Sequence, residues 1–349
     1  MTEIVRTEQL RKSFRARGRA VEAVRGLDLG VRQGEVFAFL GPNGAGKTTT
    51  LRMLTTLMPI GAGRAVVAGA DVAAEPALVR RRIGYVGQDG GADLPATGRE
   101  NLLLQGRLYG ASRSGASRRA GELIDLLALG DFADRRVRTY SGGQRRRLEV
   151  ALGLMHSPRL LFLDEPTVGL DPQNRANLWD RLRSLRSAGT TIFLTTHYLE
   201  EADELADRVA IIDHGRIVAE GTPRQLKDAL GGDTIRLVPT VPAERAPAGG
   251  PDSLGGDGLR DRLAGLPFVV EARLDDEALT LTVANGTRAL PPLLDALAGL
   301  GVELEGLTLT QPSLDDVFLA RTGRALRDAG PGNGTAGNEN GTEDEEAAA

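Results

Sequence analysis

The chain has 349 residues, with 43 Lys and Arg against 47 Asp and Glu, and a formal net charge of −4 at pH 7. Its length exceeds the ~100–200 residues of an ordinary single domain, so we expect two domains. The negative charge argues against a nucleic-acid partner, the lack of cysteine excludes disulfides and thiolate metal sites, and no apolar run approaches the ~18 residues of a spanning helix.

Residues 1–232 alternate short β-rich runs with helical stretches, which is typical of an α/β fold. Glu35–Leu40 reads as a strand and Thr49–Leu57 as a helix. The loop between them fits the phosphate-binding pattern G-x-x-x-x-G-K-[ST]. We expect a nucleotide to contact Gly41, Pro42, Asn43, Gly44, Ala45, Gly46, Lys47, Thr48 and Thr49.

Each part of this phosphate loop has its own task. Its glycines take up dihedrals that a Cβ would obstruct, which lets backbone N–H groups approach phosphate oxygens. Lys47 supplies a compact positive charge to the outer phosphates, and Thr48 offers a hydroxyl to Mg²⁺. Only three of the 43 basic residues are lysines, and a guanidinium would not replace the ammonium here. The sequence therefore predicts ATP and Mg²⁺ as ligands.

The pattern changes to helices over residues 97–137. Thr97 and Glu100 form a capping box that begins one helix, and a second helix is expected at about residues 117–129. We interpret this stretch as a helical subdomain inserted into the α/β core. Gln88, just before it, is expected to sense Mg²⁺ and the attacking water, although taken alone it reads as an ordinary loop amide.

A four-residue motif, which we call the signature motif, follows the insert and consists of Ser141, Gly142, Gly143 and Gln144. Ser-x-x-Gln is itself a capping box, but each glycine costs up to ~1 kcal/mol in a helix compared with alanine. The motif is expected to expose N–H groups as a second anion site. One chain cannot easily fold both sites onto one triphosphate, so two copies should enclose ATP head to tail. The next residues, Arg145–Arg147, are expected to form a solvated helix face.

Three nearly continuous apolar runs predict the buried strands of a parallel sheet, namely Leu160–Leu163, Thr191–Leu194 and Val209–Ile212. Asp164 and Glu165 end the first run, at the edge where open α/β sheets bind ligands. We expect Asp164 to hold Mg²⁺ and Glu165 to orient or deprotonate the attacking water, although an isolated Asp-Glu pair can also cap a helix. His197, after the second run, should reach the γ-phosphate.

The rest of the chain predicts a smaller accessory unit. Residues 239–258 are rich in Pro, Ala, Gly and Asp and read as a linker. The flanking elements read βαββαβ, which suggests a ferredoxin-like arrangement over residues 233–323, here called the C-terminal module. Residues 324–349 are expected to form a disordered acidic tail.

The motifs of residues 1–232, taken together in this order, resemble those of the ATP-binding cassette (ABC) ATPases, a P-loop NTPase family. By that resemblance, Phe14 stacks on adenine and Asp171 communicates across the dimer. The groove near Gln88 would receive a coupling helix from a separately encoded membrane permease. Tyr140 stands where the commonest signature has leucine. The resemblance therefore does not tell how the side chain at this position packs.

Two further stretches narrow the resemblance. Residues 195–209 resemble the ABC-2 type exporters, and Gln311–Phe318 resembles the C-terminal module of the daunorubicin/doxorubicin-resistance ATPases. This implies a dimeric ATP-binding subunit of a drug exporter, peripheral on the cytoplasmic face of the membrane. Two other classes stay open. A soluble ABC ATPase acting on a macromolecular assembly usually carries a second cassette, a long coiled-coil insertion or a zinc module, and the sequence shows none of these. A P-loop kinase would need a separate acceptor pocket, and the signature motif and His197 disfavour it.

Overall fold

The computed structural model describes residues 2–16, 19–240, 256–275 and 278–323. Most of the predicted linker and the whole predicted acidic tail lie outside these ranges. Within the ranges, every helix is too short or too polar to span a bilayer.

The first unit has an α/β fold, as predicted. Its elements in chain order are β1 (Glu3–Ala16), β2 (Arg19–Arg32), β3 (Val36–Leu40), α1 (Lys47–Leu54), β4 (Ala62–Val67), β5 (Ala70–Asp71), α2 (Pro76–Arg82), β6 (Ile83–Val86), α3 (Gly98–Leu108), α4 (Arg113–Leu126), α5 (Gly142–Leu154), β7 (Leu160–Asp164), α6 (Pro172–Ser187), β8 (Thr191–Thr196), α7 (Leu199–Leu205), β9 (Arg208–Asp213), β10 (Arg216–Gly221) and α8 (Pro223–Asp228).

A six-stranded sheet in the order β10-β9-β3-β8-β7-β6 forms the centre of this unit. The strands from β9 to β6 are parallel, which confirms the predicted parallel sheet, and β10 adds an antiparallel edge. Because β3, β7 and β8 run in one direction, Asp164 at the end of β7 lies at the same sheet edge as the phosphate loop and His197, which follow β3 and β8.

Both faces of the central sheet are buried, since successive side chains point to opposite sides. Phe37 and Phe39 pack towards α1 and a second, antiparallel sheet in the order β2-β1-β4-β5, which no pattern in the sequence predicted. Val36 and Ala38 pack towards the helices of the other face. Helix α1 begins two residues earlier and ends three residues earlier than predicted.

The predicted helical insert contains α3 and α4. Its capping box is complete, with the Thr97 side chain accepting from Glu100 N and the Glu100 side chain accepting from Thr97 N. Helix α4 begins after the N-cap Ser112, four residues before the predicted start. An antiparallel bridge joins Thr97 to Arg136, so the two ends of the insert meet where a subdomain entering and leaving the core would require.

Tyr140 fits its position well. Its hydroxyl donates to the carbonyl of Phe132 at 2.6 Å, and the two rings meet edge to face with centroids 4.9 Å apart. The side chain is buried. Tyrosine here therefore adds a hydrogen bond between the insert and the start of α5 to the apolar packing that a leucine would supply.

The C-terminal module contains β11 (Asp233–Pro239), α9 (Gly256–Ala264), β12 (Val269–Asp275), β13 (Ala278–Val283), α10 (Gly286–Gly299), β14 (Leu304–Thr310) and α11 (Leu314–Thr322). Its first six elements have the predicted βαββαβ order. The sheet order is β12-β13-β11-β14, and every neighbouring pair is antiparallel. This is the ferredoxin-like arrangement.

Helix α11 was not predicted and leaves the module to which it belongs in sequence. Leu314, Val317 and Phe318 are buried in the core of the first unit rather than in the module's own core. The helix contacts α7, α8 and β10. The chain therefore returns to the first unit after crossing the module, so the two units are joined at both ends of residues 233–323.

Candidate functional site

The backbone of the phosphate loop has the shape that the glycine pattern predicted. Gly44 and Gly46 have φ of 80° and 106°, which glycine adopts without a steric cost. A Cβ on Gly46 would lie 2.4 Å from the carbonyl oxygen of Ala23, and one on Gly41 would lie 2.3 Å from that of Ile212. The loop is therefore packed tightly between β2 and β9, leaving a cradle that larger residues would distort.

A cavity of about 420 Å³ opens over this loop. It is lined by Ala23, Pro42, Asn43, Gly44, Gly46, Lys47, Thr48, Thr49, Gln88 and Glu165. Seven of the nine loop residues predicted to contact the nucleotide thus share one space with Glu165 and Gln88, two of the predicted catalytic residues, while Gly41 and Ala45 do not line it.

Lys47 is buried beneath the loop. Its ammonium donates to the carbonyls of Gly41 at 2.6 Å and Pro42 at 3.1 Å, and lies 3.3 Å from Glu165 Oε1. Burial lowers the pKa of Lys47, and the nearby Glu165 carboxylate opposes part of that effect. A buried ammonium in this condition gains from any anion that reaches it, which suits a phosphate ligand.

Asp164 is also buried, at the end of β7. It accepts hydrogen bonds from the hydroxyls of Thr195 at 2.6 Å and Thr48 at 3.3 Å. Burial raises the pKa of Asp164, so the site favours a neutralising cation. Thr48 and Asp164 fit Mg²⁺, which takes few protein ligands and keeps waters and phosphate oxygens. In the described ranges, no group of three His, Cys, Asp or Glu forms a metal cage.

We expect Asp164→Asn to raise the melting temperature of the nucleotide-free protein at pH 7. A carboxyl whose pKa is raised on folding binds its proton more tightly in the folded state, so stability falls as pH rises from its unfolded pKa through its folded one. At pH 7 the ionised group is therefore destabilising, and each ~1 kcal/mol recovered shifts the melting temperature by about 2–4 °C.

Thermal unfolding of Asp164→Asn at pH 7 and at acidic pH, with and without Mg·ATP, measures this effect. The gain should shrink at acidic pH, because the wild-type carboxyl is then protonated in the folded state. Stabilisation by Mg·ATP should be weaker in the variant. A lower melting temperature at pH 7 without nucleotide would contradict the stated origin of the pKa shift.

Glu165 has a backbone conformation that is unusual for a side chain with a Cβ, with φ of 47°. Its N–H donates to both the carbonyl and the hydroxyl of Thr195, each at 3.1 Å. Such a conformation persists only where the surroundings hold it. The turn aims the side chain at Lys47 and at His197, whose Nδ1 lies 3.2 Å from Glu165 Oε1 at an angle outside that of a hydrogen bond.

The charge of Glu165 is set by opposing effects. Burial raises the pKa of Glu165, but the contact with the imidazole of His197 and the positive charge of Lys47 outweigh it and hold the pKa below its ordinary range. The carboxylate is therefore ionised at neutral pH. The structure brings Lys47, Asp164, Glu165 and His197 together as predicted, and their roles remain predictions.

Gln88 lies at the boundary of two cavities. It lines the one over the phosphate loop and also a groove of about 340 Å³ beside α3 and α5. The groove is lined as well by Tyr85, Gln105, Tyr109 and His156. A side chain in this position can respond to both the nucleotide and whatever fills the groove.

The signature motif caps α5 within its own chain. Ser141 Oγ accepts from Gln144 N at 3.2 Å, and Gln144 Oε1 accepts from Ser141 N at 3.1 Å. Gly143 has no room for a Cβ, which would lie 2.4 Å from the side-chain oxygen of Asn174. None of the four residues is among those lining the phosphate-loop cavity. Because Ser141 Oγ acts only as an acceptor here, its own hydrogen stays available for a phosphate.

Phe14 and Asp171 lie outside that cavity as well. Phe14 is partly exposed on β1, with its ring centroid 5.7 Å from the ammonium of Lys12. Asp171 caps α6, accepting from the backbone N–H of Asn174 at 2.9 Å, and this bond lowers its pKa. Their predicted contacts with adenine and with a second copy remain predictions.

The structure also buries charged side chains outside the predicted site residues. Arg146, expected on a solvated face, is 7% exposed, because its guanidinium points inward to backbone carbonyls behind the site. Glu201, which was not singled out, is fully buried on α7 and accepts from Trp179 Nε1 at 3.3 Å. Burial raises the pKa of Glu201. The Arg-x-x-Glu spacing of Arg146 and Glu149 was the available sequence signal for the first of these.

The sequence matches known protein families and characterised relatives. Residues 24–168 match the family described as ABC transporter, and residues 221–322 match the C-terminal domain of DrrA1-3-like ATP-binding proteins. The chain is 49% identical to the daunorubicin/doxorubicin resistance ATP-binding protein DrrA of Streptomyces peucetius over 88% of this chain and 89% of that protein. It is 41% identical to the Nod factor export ATP-binding protein I of Cupriavidus metallidurans over 94% and 100%.

The fold agrees as well. An ATP-binding subunit of an ABC transporter, 27% identical, superposes with a TM-score of 0.58 over 65% of this chain and 93% of that one. The cassette MJ0796, solved as a dimer bound to ADP and phosphate, gives 0.58 at 24% identity over 62% and 98%. The chain belongs to the ATP-binding proteins of ABC transporters, in the DrrA-like group whose characteristic C-terminal domain it carries.

Proposed function

We propose that this ABC ATPase powers the export of a drug or antibiotic-like compound through a separate membrane permease. The observation that carries the proposal is the gathering of Lys47, Glu165 and His197 within 3.3 Å contacts beside the phosphate loop. Relatives whose names describe daunorubicin or doxorubicin resistance support the class of cargo. They do not favour an ABC ATPase acting on a macromolecular assembly.

The reaction is attack of water on the γ-phosphate of ATP, which gives ADP and phosphate. Lys47 neutralises negative charge on the outer phosphates, and Glu165 orients the water and accepts its proton. His197, whose Nδ1 lies 3.2 Å from the same Glu165 oxygen that Lys47 approaches, contacts the γ-phosphate. Mg²⁺ held by Thr48 and Asp164 would supply further charge neutralisation when bound, with Gln88 beside it.

ATP binding tunes Glu165 for this role. In the nucleotide-free site, Lys47 and His197 hold its pKa low, which suits an ion pair better than proton transfer. A triphosphate draws the ammonium of Lys47 to its oxygens and brings negative charge towards Glu165. Both changes raise the pKa of the carboxyl, so the group becomes a stronger base when its substrate is present.

The remaining parts of the proposal concern assembly. The signature motif does not line the phosphate-loop cavity of its own chain, so a second copy would complete the site with its Ser141, and Asp171 would lie near the junction. The groove beside Gln88 would receive the permease. Attachment there places the chain on the cytoplasmic face of the membrane.

Drug export is tested in a doxorubicin-sensitive host. The chain is co-expressed there with the permease, taken as the product of a neighbouring reading frame that encodes about six apolar helices. We expect lower doxorubicin accumulation and co-purification of the two proteins from membranes. The Lys47→Ala variant should co-purify but not export. Unchanged accumulation of doxorubicin and of other cationic amphiphilic drugs, despite a formed complex and active hydrolysis, would reject the drug-export assignment.

A further inference from the structure

Arg146 lies directly behind the edge of the central sheet where Asp164 and Glu165 lie. Its Nε donates to the carbonyl of Pro166 at 2.9 Å, and its Nη2 donates to the carbonyl of Asp164 at 2.9 Å. These two carbonyls flank Glu165 on either side. One guanidinium therefore holds both neighbours of the residue whose φ is 47°, a conformation that needs external support.

The same side chain reaches the loop that carries Gln88. Its Nη1 donates to the carbonyl of Gly87 at 2.6 Å and to Glu149 Oε2 at 3.1 Å. Glu149 in turn lies under this loop, because a Cβ on Gly90 would be 2.1 Å from Glu149 Oε1. Arg146 and Glu149 are each only 8% exposed in their side chains, so this pair is shielded from solvent.

The helix that carries Arg146, and the shape of its guanidinium, both bear on its role. It is on α5, the helix that begins with Ser141 as its N-cap. A guanidinium presents five donors in a fixed plane, whereas an ammonium is a compact point charge with freely rotating donors. Three carbonyls and one carboxylate, which come from three segments of the chain, therefore match arginine and cannot all be satisfied by the three donors of lysine.

We propose that Arg146 is a positioning residue that fixes the backbone of Glu165 and of the Gln88 loop to the helix carrying the signature motif. The catalytic carboxylate, the amide facing the groove and the helix that faces a second copy then move as one body. This inference rests on the proposed role of Glu165, and it assigns to the second arginine after the signature motif a task in catalysis without contact with the nucleotide.

The test is Arg146→Lys in the full chain, with turnover and affinity for ATP measured separately. We expect kcat to fall on the order of 10–100-fold, as for a small displacement of a catalytic group, while the Kd for ATP stays close to wild type. Arg147→Lys is the matched control, because Arg147 is on the same helix but donates to Leu127 and Ala128 in the insert. The kcat of Arg147→Lys should change little, even if its melting temperature falls as much as that of Arg146→Lys.

A second variant covers the case in which Arg146→Lys does not fold. Glu149→Gln keeps the guanidinium and weakens its ion pair, so a smaller fall in kcat at unchanged Kd is expected. Normal kcat in every variant that folds would overturn the proposal. So would a fall in kcat that Arg147→Lys shows equally, since that would indicate general destabilisation of α5.

The double variant Arg146→Lys/Glu165→Gln separates this inference from the function on which it rests. If Arg146 acts through Glu165, adding Arg146→Lys to Glu165→Gln should lower the single-turnover rate little further. If Arg146→Lys lowers the single-turnover rate as much in the Glu165→Gln background as it does in wild type, the positioning role of Arg146 is rejected and the assignment of Glu165 stands. Near-normal turnover of the single Glu165→Gln variant instead rejects the assignment of Glu165.

Discussion

Glu165→Gln is expected to lower the rate of ATP hydrolysis on the order of 10²–10⁴-fold, the usual contribution of a positioned general base, with ATP binding retained. Glutamine keeps the size of the side chain and can still contact Lys47 and His197, but it cannot accept a proton from water. The measurement is steady-state phosphate release, together with the Kd for ATP from equilibrium binding. Glu200→Gln on the exposed side of α7 is the control, since that carboxylate only meets Arg175 at 3.5 Å.

The same variant tests the second copy. With hydrolysis blocked, Mg·ATP should remain bound and hold two chains together through Lys47 of one and Ser141 of the other. Sedimentation of Glu165→Gln in Mg·ATP should therefore show dimers that disappear with ADP. A chain that stays monomeric at every concentration, also beside its permease, would contradict the shared site.

The parts of the site that the sequence predicted share one physical property. They are set by short-range rules: a strand, glycines where a Cβ cannot fit, a lysine, and a carboxylate pair at a strand end. Parallel strands then bring the phosphate loop, Asp164 and His197 to one edge without further information. The complete capping boxes at Thr97 and Ser141 follow the same logic.

What the sequence did not reveal depends on partners far away along the chain. A run of arginines reads as a solvated face, and only the folded chain shows Gly87, Asp164 and Pro166 presenting carbonyls to Arg146. Glu201 was missed because nothing local marks a buried carboxyl paired with Trp179. The antiparallel sheet of β1, β2, β4 and β5 was missed as well. Strand β1 pairs with the distant β4, where Val5 lies opposite Val67, and register shifts interrupt its pairings with both β2 and β4.

The position of α11 changes how the C-terminal module is understood. From the sequence, residues 233–323 read as an accessory module that includes the linker 239–258 and follows the first unit. Phe318 and its neighbours instead complete the core of the first unit beside α7, and α7 begins two residues after His197. The module is thus attached to the helix that follows the sheet edge carrying His197.

Phe318→Ala is expected to destabilise this attachment by about 3–5 kcal/mol, the usual cost of removing a buried phenylalanine. The side chain is fully buried, and the helix around it has few other large anchors. Because a two-unit chain need not unfold in one step, amide hydrogen exchange is the better measurement than a single melting temperature. Faster exchange is expected in α7, α8 and α11, with β11–β14 little affected.

Leu319→Ala is the matched control for this effect. Leu319 is the next residue on the same helix and is 46% exposed, so its truncation removes little buried surface and should leave exchange in α7 and α8 unchanged. Equal acceleration of exchange by the two variants would show that the effect does not come from the buried Phe318 ring, and a Phe318→Ala effect confined to the module's own strands would show that α11 does not stabilise the first unit. If Phe318→Ala speeds exchange in α7 and also slows ATP hydrolysis, then the packing of Phe318 on the first unit affects the sheet edge where His197 lies beside Glu165.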